Sequence, residues 1–127
     1  MARIVVVDDE YDHREILSVL LTFEGHNVQT YGSGEEFLAE FRAESQDLIL
    51  LDICLPTTDG YEIFDRAREV DRRVPIVAVT AYAFCSDNER LLAHGFTAHI
   101  TKPILDPEAF IDTVRKTALP TALLRAS

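Results

Sequence analysis

Residues 4–10 read Ile4-Val5-Val6-Val7-Asp8-Asp9-Glu10, an unbroken apolar run that stops abruptly at three acids. A short, continuously apolar run is what a strand needs when helices cover both of its faces. The pattern returns in Leu48-Ile49-Leu50-Leu51 followed by Asp52, and in Ile76-Val77-Ala78-Val79 followed by Thr80. Longer segments of helical period separate these runs, so strands and helices alternate, the rhythm of a parallel sheet wrapped by helices. Two further strand candidates, Val28 to Tyr31 and Ala98 to Thr101, mix polar with apolar positions and suit the edges of the sheet. Right-handed crossovers then give a doubly wound α/β fold with strand order 2-1-3-4-5.

Helix starts are marked by side-chain oxygens that satisfy orphan backbone N–H groups, with an acid three residues on. Asp12 with Glu15, Ser33 with Glu36, Asp59 with Glu62 and Ser86 with Glu89 fit that pattern, and Asp106-Pro107 opens the fifth helix. Gly25 and Gly95 fall where left-handed helix ends are expected. Ile16, Val19, Leu20 and Phe23 make one apolar stripe, and Phe110, Ile111 and Val114 another, so both helices are expected to pack on the sheet. Residues 1–119 read as one domain; Pro120 ends the last periodic segment, which leaves 120–127 as a short tail.

The 127 residues carry 12 Lys and Arg against 22 Asp and Glu, a formal charge of −10. That sign repels phosphate backbones and anionic lipid, which argues against direct nucleic-acid or membrane binding. No apolar stretch approaches membrane-spanning length, and Met1-Ala2-Arg3 opens no signal-peptide pattern. Two cysteines, Cys54 and Cys85, are too few for a disulfide framework and lack zinc spacing, so a cytoplasmic location is expected.

In a doubly wound sheet, ligands bind beyond the carboxyl ends of the strands where the order reverses, here between strands 1 and 3. Asp8 and Asp9 leave one of these strands and Asp52 leaves the other. Two like charges about 4 Å apart repel by on the order of 4 kcal/mol at an effective dielectric near 20, enough to call for a bound cation. A hard divalent ion with oxygen ligands resolves the conflict, and Mg²⁺ is the expected one. Thr80 and Lys102 fall on the same rim, at the ends of strands 4 and 5. Acids, hydroxyl and ammonium together suit a site that holds a cation and a transferred phosphoryl group.

Val7-Asp8-Asp9-Glu10, Leu50-Leu51-Asp52-Ile53-Cys54-Leu55-Pro56 with Asp59-Gly60, Thr80-Ala81 and Thr101-Lys102-Pro103 resemble the receiver domain of two-component response regulators, over nearly the whole chain. The resemblance implies a flavodoxin-like (βα)5 fold and a signalling domain rather than an enzyme acting on other substrates. It implies that Asp52 is the phosphoacceptor, that Asp8, Asp9, Asp52 and the Cys54 backbone carbonyl hold Mg²⁺, and that Thr80 and Lys102 contact the phosphoryl group. Thr80 and His99 would form the switch, and the bond before Pro103 is a candidate cis peptide. The implied donor is a sensor histidine kinase or a histidine phosphotransfer protein. The implied output face comprises the fourth helix, fifth strand and fifth helix, on a monomer or a phosphorylation-dependent dimer.

The chain departs from the family pattern in three places: His99 stands where Tyr or Phe is common, bulky Tyr82 follows Thr80 by two, and small Cys54 follows Asp52 by two. An inward-turned His99 would have a lower pKa in the active form, so acid would oppose activation. His13, His26 and His94 read as surface residues. A haloacid-dehalogenase-like phosphohydrolase is the alternative enzyme, but it would place D-x-D after strand 1 and carry a cap. A flavodoxin-like carrier would need a hydroxyl- and glycine-rich loop in place of Asp8-Asp9-Glu10. A degenerate receiver used only for docking would lack site residues that are all present.

Overall fold

The computed structural model describes residues 2–53, 59–80, 88–102, 104 and 106–118. Five strands, β1 (Arg3–Val7), β2 (Asn27–Tyr31), β3 (Leu48–Asp52), β4 (Ile76–Thr80) and β5 (Ala98–Thr101), alternate with five helices: α1 (Tyr11–Phe23), α2 (Gly34–Glu40), α3 (Gly60–Val70), α4 (Asn88–His94) and α5 (Pro107–Thr117). The strands are parallel and lie in the order β2-β1-β3-β4-β5, as expected. β3 and β4 are buried along their whole length and β1 along all but its first residue, whereas β2 and β5 keep exposed positions.

Because side chains alternate across a parallel sheet, the central strands feed two cores. Val5, Val7, Ile49, Leu51, Ile76 and Ala78 face α2, α3 and α4. Ile4, Val6, Leu48, Leu50, Val77 and Val79 face α1 and α5. Each of these Val, Leu and Ile side chains contributes roughly 1.5–3 kcal/mol by leaving water, which makes the strand ends a rigid base for the site above them.

The helix starts follow the sequence with two corrections. Ser33 accepts the Glu36 N–H at 3.1 Å and Asp106 that of Ala109 at 3.0 Å. Asp59 caps α3 but takes the N–H of Tyr61, while Glu62 pairs with Arg66 instead of closing a box. Asp12 caps nothing: α1 begins at Tyr11 with Glu10 at its N-cap, and Asp12 sits within the first turn. The Asp8 carboxylate draws the helix toward the strand by accepting the Glu10 N–H at 2.9 Å. The Ser86 cap lies outside the described residues. Gly25 and Gly95, with φ of 91° and 122°, end α1 and α4 in the left-handed region.

The stripe assigned to α1 is also corrected. Leu17 and Leu21 are buried and Leu20 half-buried, whereas Ile16, Val19 and Phe23 are 50%, 63% and 88% exposed. At 100° per residue, the apolar positions 16–23 cover about 200° of the helix, more than a sheet can bury, and the Leu17–Leu21 side is the one turned inward. On α5, Phe110 and Val114 are buried and Ile111 half-buried, as the sequence predicts.

Candidate functional site

Register brings the acids together. Val7 of β1 pairs with Leu51 of β3, so Asp8 and Asp52, the next residues, stand side by side at the carboxyl edge. Thr80 and Thr101 are likewise in register at the ends of β4 and β5, which places Lys102 just beyond that edge. Asp8, Asp52, Thr80 and Lys102 are all buried, while Asp9 is exposed.

One carboxylate oxygen from each of Asp8, Asp9 and Asp52 lies within 4.8 Å of the others. Lys102 bridges two of the acids, with its Nζ 2.8 Å from Asp8 Oδ2 and 3.2 Å from Asp52 Oδ2. Burial opposes the ammonium charge, but the hydrogen bond to Asp8 and the charges of Asp52 and Asp8 outweigh it and hold the lysine pKa above its ordinary value. The Lys102 N–H donates to the Thr80 carbonyl at 2.9 Å, which ties the lysine to the end of β4.

Backbone contacts fix Asp8 as firmly. Its N–H donates to the Tyr31 carbonyl at 3.1 Å, and its own carbonyl accepts from the Arg14 guanidinium at 2.7 Å. Gly60 closes the far side: its N–H donates to the Ile53 carbonyl, and a Cβ on it would come within 2.3 Å of the Ile53 Cα. Only glycine lets α3 start this close to the residue that follows Asp52.

The sequence places Asp8, Asp9, Asp52, Thr80 and Lys102 on one rim, and the described residues meet there. Cys54, Tyr82 and Pro103 lie outside the described residues. His99 is half-buried, with a buried Nε2 that has no hydrogen-bond partner among the described residues, and burial lowers its pKa. His94 is exposed, 2.8 Å from Asp65 Oδ1, but His26 and His13 are half-buried. His26 accepts the Ala2 N–H at 3.1 Å, and His13 Nδ1 stands 3.1 Å from Lys102 Nζ. Arg14 and His13 escape the sequence reading because nothing in the first turn of α1 marks side chains that reach back over the strand end.

Five parallel strands in this order, with acids, hydroxyl and lysine at the carboxyl edge, define a doubly wound α/β domain with an acidic site at its switch point, and comparison with known proteins names the family. Residues 4–115 match the response regulator receiver domain model. The chain is 34% identical to the polar-differentiation response regulator DivK of Brucella anthropi, covering 88% of this chain and 92% of that one. It is 38% identical to the probable transcriptional regulator ycf27 of Pyropia yezoensis over 84% of this chain, but spans only 43% of that protein. The response regulator TrrA of Thermotoga maritima, solved with Mg²⁺ and BeF, superposes with a TM-score of 0.79 at 32% identity, covering 92% of this chain and 99% of that one.

The chain belongs to the response regulator receiver domain family. It is a two-component signalling domain and not a hydrolase of the haloacid-dehalogenase type, and receiver domains work with histidine kinases and output domains. No helix among the described residues is long and apolar enough to cross a membrane.

Proposed function

We propose that this receiver takes a phosphoryl group from the phosphohistidine of a sensor kinase or phosphotransfer protein onto Asp52. The observation that carries the reading is the buried Asp52 carboxylate, beside Asp8 on the neighbouring strand and bridged to it by the Lys102 ammonium. In the transfer, the donor P–N bond breaks as a P–O bond to Asp52 forms, and the imidazole leaves with the electron pair. Such a reaction needs positioning and charge neutralisation more than covalent chemistry from the protein.

Asp8, Asp9 and Asp52 offer hard oxygen donors close enough to share one ion, which fits Mg²⁺, and the Cys54 carbonyl completes the proposed set. Bound there, Mg²⁺ would neutralise charge on the phosphoryl oxygens and offset the repulsion among the three acids. Lys102, already at Asp52, turns its ammonium to a phosphoryl oxygen, and Thr80 donates its hydroxyl to another. The move of Thr80 changes the packing next to His99 on β5, and Thr80 with His99 constitutes the switch. The output partner binds the face of α4, β5 and α5; between β5 and α5 a groove of about 360 Å³ runs along His99, Thr101 and Phe110.

Wild type and Asp52→Asn, incubated with a small phosphodonor and Mg²⁺ and weighed intact, test the reading. Wild type should gain one phosphoryl group and the variant none; equal gain in both would overturn it.

A further inference from the structure

A protonated lysine has three N–H donors, and the receiver function accounts for two of those on Lys102. Among the described residues the ammonium meets Asp8 Oδ2 at 2.8 Å, Asp52 Oδ2 at 3.2 Å and His13 Nδ1 at 3.1 Å. His13 belongs to the first turn of α1, and its side chain is 27% exposed beside a lysine that is only 4% exposed. Its Nδ1 also stands 3.4 Å from Glu10 Oε2 and 4.0 Å from Asp8 Oδ2. Nδ1 can accept from the ammonium only with the ring proton on Nε2, because a proton on Nδ1 would set two donors head to head at 3.1 Å.

We propose that His13 is a positioning residue for Lys102: it accepts the third ammonium proton and retains the ammonium when a divalent cation claims the oxygens of Asp8 and Asp52. The inference rests on the metal-dependent reading above. A lysine this buried cannot turn to water when the carboxylates are taken, and a buried charge left without a partner is strongly unfavourable. The His13 nitrogen is not one of the Asp8, Asp9 and Asp52 oxygen donors, although it stands 4.0 Å from Asp8 Oδ2, so it can keep its hydrogen bond with a cation bound to them. Without it, Lys102 must stay on the carboxylates in competition with the cation. His13 thus eases metal entry while holding the ammonium within reach of a group on Asp52.

Mg²⁺ titrations followed by ¹H–¹⁵N NMR on wild type, His13→Asn and His13→Leu test this. Asn restores an acceptor close to the Nδ1 position, and Leu keeps the bulk without one. Wild type and the Asn variant should bind alike, and the Leu variant about three- to tenfold more weakly. In a Lys102→Ala background the Leu substitution should have no effect, because nothing remains to be held. In metal-free wild type at neutral pH, the imidazole ¹⁵N shifts should show an unprotonated, hydrogen-bonded Nδ1. Equal affinity in wild type and the Leu variant, an equal loss in the Lys102→Ala background, or a protonated Nδ1 would each overturn the inference alone. Failure of wild type to bind Mg²⁺ at all would overturn the metal-dependent reading with it.

Discussion

Two buried carboxylates on adjacent strands repel each other, and the Lys102 ammonium between them offsets that repulsion. The same ammonium would compete with a cation for these two carboxylates. Lys102→Ala is therefore expected to leave Mg²⁺ affinity unchanged or raise it, while abolishing the NMR shift changes at β5 expected on adding beryllofluoride to wild type; a loss of metal affinity would contradict the assignment. At His99 the question is one of protons. Burial holds the His99 and His26 rings below the ordinary value of 6.5, so the unfolded chain takes up protons before the folded one does. Stability is then full above the ordinary value and declines as pH falls from there through the folded values. The melting temperature should be lower at about pH 5.5 than at about pH 7.5, and His99→Phe should reduce that difference, since a ring that cannot bind a proton contributes nothing to the slope. An unchanged difference would mean that His99 is not the buried group the structure describes.

At the scale of the element, α1 carries two overlapping apolar stripes, and only contact with the sheet selects between them. Leu21 is fully buried, whereas Phe23, two residues on, is 88% exposed. Leu21→Ala should cost about 2–5 kcal/mol in chemical denaturation, because it opens a cavity in the α1–α5 core. Phe23→Ala should cost less than about 0.5 kcal/mol despite the larger side chain removed. The reverse order would restore the stripe read from the sequence. The helix starts divide in the same way. Ser33 and Asp106 cap as their local sequence says, since a cap bonds N–H groups two or three residues away. Asp12 fails as a cap because the Asp8 carboxylate, already held in the site, takes the Glu10 N–H and starts the helix earlier.

For the whole molecule, the proposed metal binding would be linked to folding, since the acids converge only when β1 and β3 are paired. Mg²⁺ at 100 times its dissociation constant should stabilise the fold by about 2.7 kcal/mol, a rise of roughly 10 °C in melting temperature for a chain of this size. Neutralising both Asp8 and Asp9 to Asn should remove the rise, and its persistence would place the metal elsewhere. The strands, their order and the convergence of Asp8, Asp9, Asp52, Thr80 and Lys102 were all legible in the sequence. Continuous apolar runs report double-sided burial, crossovers have one hand, and each of these residues sits at or just past a strand end, so the topology alone carries them to one rim. Only the tertiary structure decided which side of α1 faces the sheet, how deeply His99 lies and what meets the third proton of Lys102. His13 and Lys102 are 89 residues apart in the chain. No local pattern encodes their meeting; it follows from the rotation of α1 against the strand ends, which packing of the whole core sets.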